Sequence, residues 1–136
     1  MPKASAKSKR DTRATVRRRD GHRCQMCGAS IVDTPSSLHH RINRGMGGSA
    51  KLERPSLLVR LCGTGTTGCH GWLTEHPHAA QMSGWLLPKL NGDIDPAQEP
   101  LLAFDGWLLL DDEGNRTPCD APDGSVVWID TYREVT

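Results

Sequence analysis

Apolar positions fall into short runs separated by polar and glycine-rich stretches. The run Leu57-Leu58-Val59-Arg60-Leu61 is apolar enough to predict a mostly buried strand, and residues 34–38 leading into His39-His40 predict a short strand before it. Between them, residues 43–49 are too rich in glycine for a regular element and predict a loop. After a tight turn over 63–68, Cys69-His70 opens a helix predicted to run to about Ser83, with Pro77 placed to kink or break it. Upstream, residues 11–20 predict a short polar helix, with Asp11 as N-cap and Gly21 just past its end. Residues 1–9 carry too few apolar side chains to pack, and the basic arm 1–10 is expected to be disordered. Beyond Trp85 the chain turns to Pro, Asn, Gly and Asp over 88–100, a predicted linker. Strands predicted over 104–110 and 125–132 would form a small β-hairpin appendage. The expected fold is α+β, with a main domain over 11–84 and a linker and hairpin tail over 85–136.

Composition adds a structural requirement. Only 36% of the 136 residues are hydrophobic and 4% aromatic, which predicts a thin core in need of an external staple. No run of apolar residues is long enough for a transmembrane helix. The basic N-terminus is followed by no apolar stretch, so it does not read as a secretory signal, and an intracellular protein is expected. In a reducing compartment, closely spaced cysteines are more often metal ligands than disulfides. Cys24-x2-Cys27, followed by Gly28, and Cys62-x6-Cys69 together supply four thiolates. Four sulfurs suit a closed, tetrahedral zinc site of structural type. Such a site would tie the start of the main domain to the end of the second strand, as the thin core demands. Cys119 lies apart in a Pro- and Asp-rich stretch and is taken as a bystander.

Charge is unevenly spread. Residues 1–23 hold nine Lys or Arg against Asp11 and Asp20, a net +7, while the remainder carries −6. A basic arm on a mildly acidic body points to a polyanion partner, because cations that pair with phosphates release condensed counterions. The histidines add chemistry. Adjacent residues on a strand point to opposite sides, so His39 and His40 can serve different purposes. If His39 and His70 bind a divalent cation, His40 is left to activate water beside it. Phosphodiester hydrolysis needs that pairing of a base with a charge-neutralising cation.

The order Cys24-x2-Cys27, Leu38-His39-His40-Arg41, Arg44-Gly45-Met46-Gly47-Gly48-Ser49 and Leu61-Cys62-Gly63-Thr64-Gly65-Thr66-Thr67-Gly68-Cys69-His70-Gly71-Trp72 resembles HNH endonucleases. It is most similar to the small ones of actinobacterial phages and prophages, over residues from about 17 to 76. The resemblance implies a ββα-metal core, a hairpin and a helix clasping one catalytic cation such as Mg²⁺ or Mn²⁺. It makes His40 the general base, His39 and His70 ligands of the catalytic cation, and Cys24, Cys27, Cys62 and Cys69 ligands of structural Zn²⁺. Arg17, Arg18, Arg19, Arg41 and Arg44 would contact DNA phosphates, positioning the duplex with weak sequence preference. Some phage members work with terminase in genome packaging, so terminase becomes an implied partner.

The chain departs from the pattern at the middle asparagine, where Leu57 stands; Ser56 and Asn43 are polar neighbours out of register. In the family that asparagine fixes the loop and orients the base. A third ligand on the helix is open among Thr74, His76 and water. Two other readings compete: a zinc-stapled DNA-binding module without catalysis, and a thiol redox protein using Cys24 and Cys27. The tryptophans read as packing residues. The run Asp111-Asp112-Glu113 reads as a solvated turn with no chemistry.

Overall fold

The computed structural model describes residues 6–42, 53–87 and 94–122. The expected glycine-rich loop, Arg44 and the strand expected over 125–132 lie outside them. Helix α1 spans Ala6–Asp20, so it begins inside the stretch expected to be disordered, and Asp11 is interior to it rather than its N-cap. Ala, Lys and Arg are strong helix formers, and they extend the helix backwards past Asp11. Its end is as expected: Gly21 takes φ +62° and donates its N–H to the Arg17 carbonyl at 2.8 Å.

Strands β1 (Ser36–His40) and β2 (Leu58–Cys62) form an antiparallel pair, with His39 opposite Val59 and His40 opposite Leu58. A 3₁₀ turn, Pro55–Leu57, leads into β2. Helix α2 (Gly68–Glu75) follows, and Pro77 starts a separate α3 (Pro77–Met82), so of the expected kink or break it is a break.

The edge of β2 away from β1 is covered by side chains at the end of α1. The Asp20 Oδ2 accepts the Arg60 N–H at 3.0 Å, and Arg19 Nη2 donates to the Leu58 carbonyl at 2.5 Å. Arg19 also donates to the Pro55 carbonyl at 2.6 Å and pairs with Asp20 at 2.7 Å. The Arg60 carbonyl accepts from Gln25 N at 3.0 Å. These bonds satisfy backbone groups that an open sheet edge would leave unpaired.

The C-terminal part is a three-stranded antiparallel sheet of β3 (Leu101–Ala103), β4 (Gly106–Leu110) and β5 (Arg116–Pro118). Phe104 and Asp105, expected in a strand, instead turn between β3 and β4, and Leu101-Leu102-Ala103, where no element was predicted, is a strand. This sheet is no appendage. Leu101, Leu102, Trp107, Leu108 and Leu110 share one buried cluster with Cys24, Val59, Leu61, Cys69, Leu73 and Trp85. The small aromatic content is thus concentrated: Trp85 is fully buried and donates its indole N–H to the Leu102 carbonyl at 3.0 Å. No helix among the described residues is long and apolar enough to cross a membrane.

Candidate metal centre and histidine cavity

The cysteine knot is assembled by two tight turns. In the first, the N–H of Gly28 (φ +79°) donates to the Cys24 carbonyl at 2.8 Å, folding Cys27 back over Cys24. The second begins at Gly63, where a Cβ would lie 2.0 Å from the Thr67 carbonyl oxygen, so only glycine lets the chain return from Cys62 to Cys69. The six residues between these two cysteines, too many for a simple knuckle, are folded by Thr64 and Thr67, which bond each other through backbone and hydroxyls.

The sulfurs of Cys24, Cys27, Cys62 and Cys69 all lie within 4.8 Å of one another. Those of Cys27 and Cys62 are 4.0 Å apart, twice the length of a disulfide at about 2.05 Å. A tetrahedral zinc about 2.3 Å from each sulfur sets sulfur–sulfur separations of about 3.8 Å. The donor set therefore fits a zinc-like ion, and the four cysteines could hold one. The Cys69 N–H also points at Cys62 Sγ at 3.4 Å. Cys24 has its pKa pushed down to about 5, chiefly by the hydrogen bond from the Cys69 thiol, while that of Cys69 is driven upward by the same bond. Four sulfurs this close cannot all ionise without a cation between them. Cys119 stands outside this group, as expected.

The histidines meet elsewhere. The rings of His39 and His70 stand edge to face with centroids 5.3 Å apart. Both border a cavity of about 830 Å³, which His40, Thr74, Arg13 and Arg17 also line. His39 Nε2 lies 2.5 Å from the Trp85 carbonyl, which can only accept, so this nitrogen carries the proton and Nδ1 keeps its lone pair. Ser37 donates its single hydroxyl proton to the Gly63 carbonyl at 2.9 Å. At 2.6 Å from His70 Nδ1, the Ser37 oxygen must then accept, which leaves the His70 lone pair on Nε2. Burial pushes the pKa of His39 down to about 4 and that of His70 downward too. Two neutral imidazoles, each with one N–H anchored, form a ligand pair of the kind that binds divalent cations.

His40, which lines the same cavity, also meets Glu53. Its Nε2 is 3.5 Å from Oε1 of Glu53, a carboxylate with only 3% of its side chain exposed. Glu53 had no sequence signal, since it lies 13 residues from His40 beyond a loop. Thr74 borders the cavity but donates its hydroxyl to the His70 carbonyl at 3.1 Å. His76 stacks on Trp72 with centroids 4.2 Å apart and does not border the cavity. Among the described residues, the four cysteines make up the only group of three or more potential ligands. Most of the shell of a cation held by His39 and His70 would therefore come from solvent or substrate.

Two arginines expected on DNA are corrected. Arg41 is completely buried and donates to the carbonyls of Gly84, Ser56 and Glu99, each at 2.9 Å. Burial lowers its pKa to about 10. The side chain of Arg19 is 1% exposed and is taken up by Asp20, Pro55 and Leu58. Neither can reach a phosphate without breaking the fold. Arg17 and Arg18 are exposed, and Arg17 lines the cavity together with Arg13. Asp112 is corrected too. It accepts from Ser56 N and Oγ at 3.1 and 2.6 Å and from Arg54 at 2.7 Å, so it pins the segment entering β2.

Comparison of the chain with protein-family models, with curated proteins and with solved structures returns no match.

Proposed function

We propose that this protein is a metal-dependent DNA endonuclease of the HNH type, with β1, β2 and α2 as its ββα-metal core. One observation supports the reading: the rings of His39 and His70 stand with centroids 5.3 Å apart, and both line the cavity that His40 also borders. His39 and His70 would hold a divalent cation such as Mg²⁺ or Mn²⁺. When bound, that cation supplies positive charge to the phosphate as charge develops on it. His40 takes a proton from water as the water oxygen bonds to phosphorus; the phosphorus–oxygen ester bond breaks, and the leaving oxygen takes a proton from solvent. Arg13 and Arg17 line the cavity wall where a phosphate backbone would enter. Arg18 adds positive charge at the surface of the same helix. Zinc in the cysteine knot would hold β2 and α2 together, and with them Val59, opposite His39, and His70. The family likeness extends the proposal to phage genome packaging beside terminase.

Nicking of supercoiled plasmid, with Mg²⁺ or Mn²⁺ and with His40→Ala run beside the wild type, tests the reading. Cleavage by the wild type alone is the expected outcome. Duplex binding without cleavage in either protein would replace the nuclease by a zinc-stapled DNA-binding module.

A further inference from the structure

Three arginines border the histidine cavity, and one of them is hard to explain by folding. Arg60 donates Nη1 to the Gly21 carbonyl at 3.1 Å and Nη2 to the Ser36 hydroxyl at 3.3 Å, so its charge is used within the chain. Arg17 is exposed, so water satisfies it. Arg13 is half-buried: its Nε is covered and has no hydrogen-bond partner among the described residues, whereas its Nη nitrogens are not covered in this way. A cation's N–H taken out of water without an acceptor costs stability. Its direction is nevertheless enforced. Val16 and Asp20 of α1 are buried, and Thr12 donates to the Glu53 carbonyl at 3.4 Å. These contacts set the rotation of α1 and leave Arg13 and Arg17, one turn apart on one face, along the cavity. Among the described residues no aspartate or glutamate borders that cavity. A cleft lined by one sign of charge attracts the other.

Resting on the nucleic-acid part of the reading above, we propose that Arg13 is the anchor for a single backbone phosphate in this cavity, with Arg17 assisting from one turn away. The open Nη nitrogens donate to two phosphate oxygens, a paired contact that a lysine cannot make. Such bonds are charge-assisted, and they gain strength where water is partly excluded. The covered Nε holds the fork in one orientation before nucleic acid arrives, so stability lost in the free protein returns as affinity in the complex. Because the contact is with the backbone, it serves any base sequence.

Binding by the full chain tests this, loaded with zinc and with no Mg²⁺ or Mn²⁺ added. Labelled duplex is titrated in, then competed with inorganic phosphate and with chloride at equal ionic strength. Arg13→Met keeps the packed stem but removes the charge and the covered N–H. It is expected to weaken duplex binding about 10–100-fold. It should also abolish the advantage of phosphate over chloride and leave the thermal midpoint unchanged or raised. Arg13→Lys, which keeps the charge without the fork, falls between it and the wild type. Arg18→Met removes the same charge from α1 outside the cavity lining and retains the advantage of phosphate. Unchanged duplex affinity in Arg13→Met, or a lowered midpoint while the phosphate advantage survives, overturns the inference and returns Arg13 to the fold. Plasmid nicking separates this inference from the nuclease reading. A wild type that binds duplex through Arg13 yet never nicks with Mg²⁺ or Mn²⁺ ends the nuclease reading alone. Equal nicking by wild type and Arg13→Met ends the inference alone.

Discussion

The cysteine knot and the histidine cavity differ as candidate ion sites built from one chain. In the knot, four ligands of one kind converge within 4.8 Å on two glycine-dependent turns, and no position is left for substrate. In the cavity, two imidazoles could supply part of a shell, and each has one ring nitrogen anchored, by Trp85 and by Ser37. A closed site contributes folding energy, whereas an open site leaves room for chemistry. Ser37 links them, because its hydroxyl orients His70 while bonding the carbonyl of Gly63 in the second cysteine turn. A zinc in the knot would thereby help set the geometry of the proposed reactive site.

The largest effect should come from breaking the staple. Structural zinc contributes apparent binding energies of about 10–16 kcal/mol, comparable to the whole stability of a small domain at about 5–15 kcal/mol. Cys62→Ser, or a strong chelator, is expected to abolish the cooperative thermal transition seen by circular dichroism. Elemental analysis should find one zinc per folded chain. A chelated protein that still melts cooperatively at an unchanged temperature would remove the knot from the account of stability. His70→Ala provides the contrast. It should keep zinc and fold, and lose about 10²–10⁴-fold in nicking rate.

Arg41 sharpens a second contrast, between cations that build and cations that bind. Arg41→Met would leave buried carbonyls at Gly84, Ser56 and Glu99 without a donor, at about 1–3 kcal/mol for each left unsatisfied. A fall in urea midpoint corresponding to at least about 3 kcal/mol is expected. An unchanged midpoint would mean that water replaces the guanidinium at no cost.

What the residue pattern revealed depended on the range of the interaction. The β1–β2 pair, the break at Pro77 and the four sulfurs were legible because each rests on local periodicity, a fixed dihedral or an unusual side chain. Charge was the least legible signal. Arg19 and Arg41 look like members of a phosphate-binding set, yet each finds carbonyl acceptors far along the chain, Pro55 for one and Glu99 for the other. Asp112 resembled a solvated turn until its partners 56 and 58 residues away were placed beside it. Leu101 and Leu102 were hidden in a Pro- and Asp-rich neighbourhood, because a three-residue strand is too short to show alternation. The start of α1 was misplaced since the strong helix propensity of Ala, Lys and Arg carries the helix back past Asp11.

The smallest expected effect tests whether the exposed arginines of α1 face a duplex. Arg17 is exposed and lines the cavity, so its loss removes no buried contact. Arg17→Ala should therefore leave the thermal midpoint within the range of ordinary surface substitutions, about ±0.5 kcal/mol. Each phosphate contact contributes about 0.9 to the slope of log K against log salt on duplex DNA, so that slope should flatten by about one in this variant. Binding to unrelated sequences should weaken equally, because a phosphate contact reads no base. Arg41→Met, among the molecules that remain folded, should leave the slope where it was. If the two slopes instead change together, Arg41 reaches the phosphates after all, and the division between building and binding arginines fails.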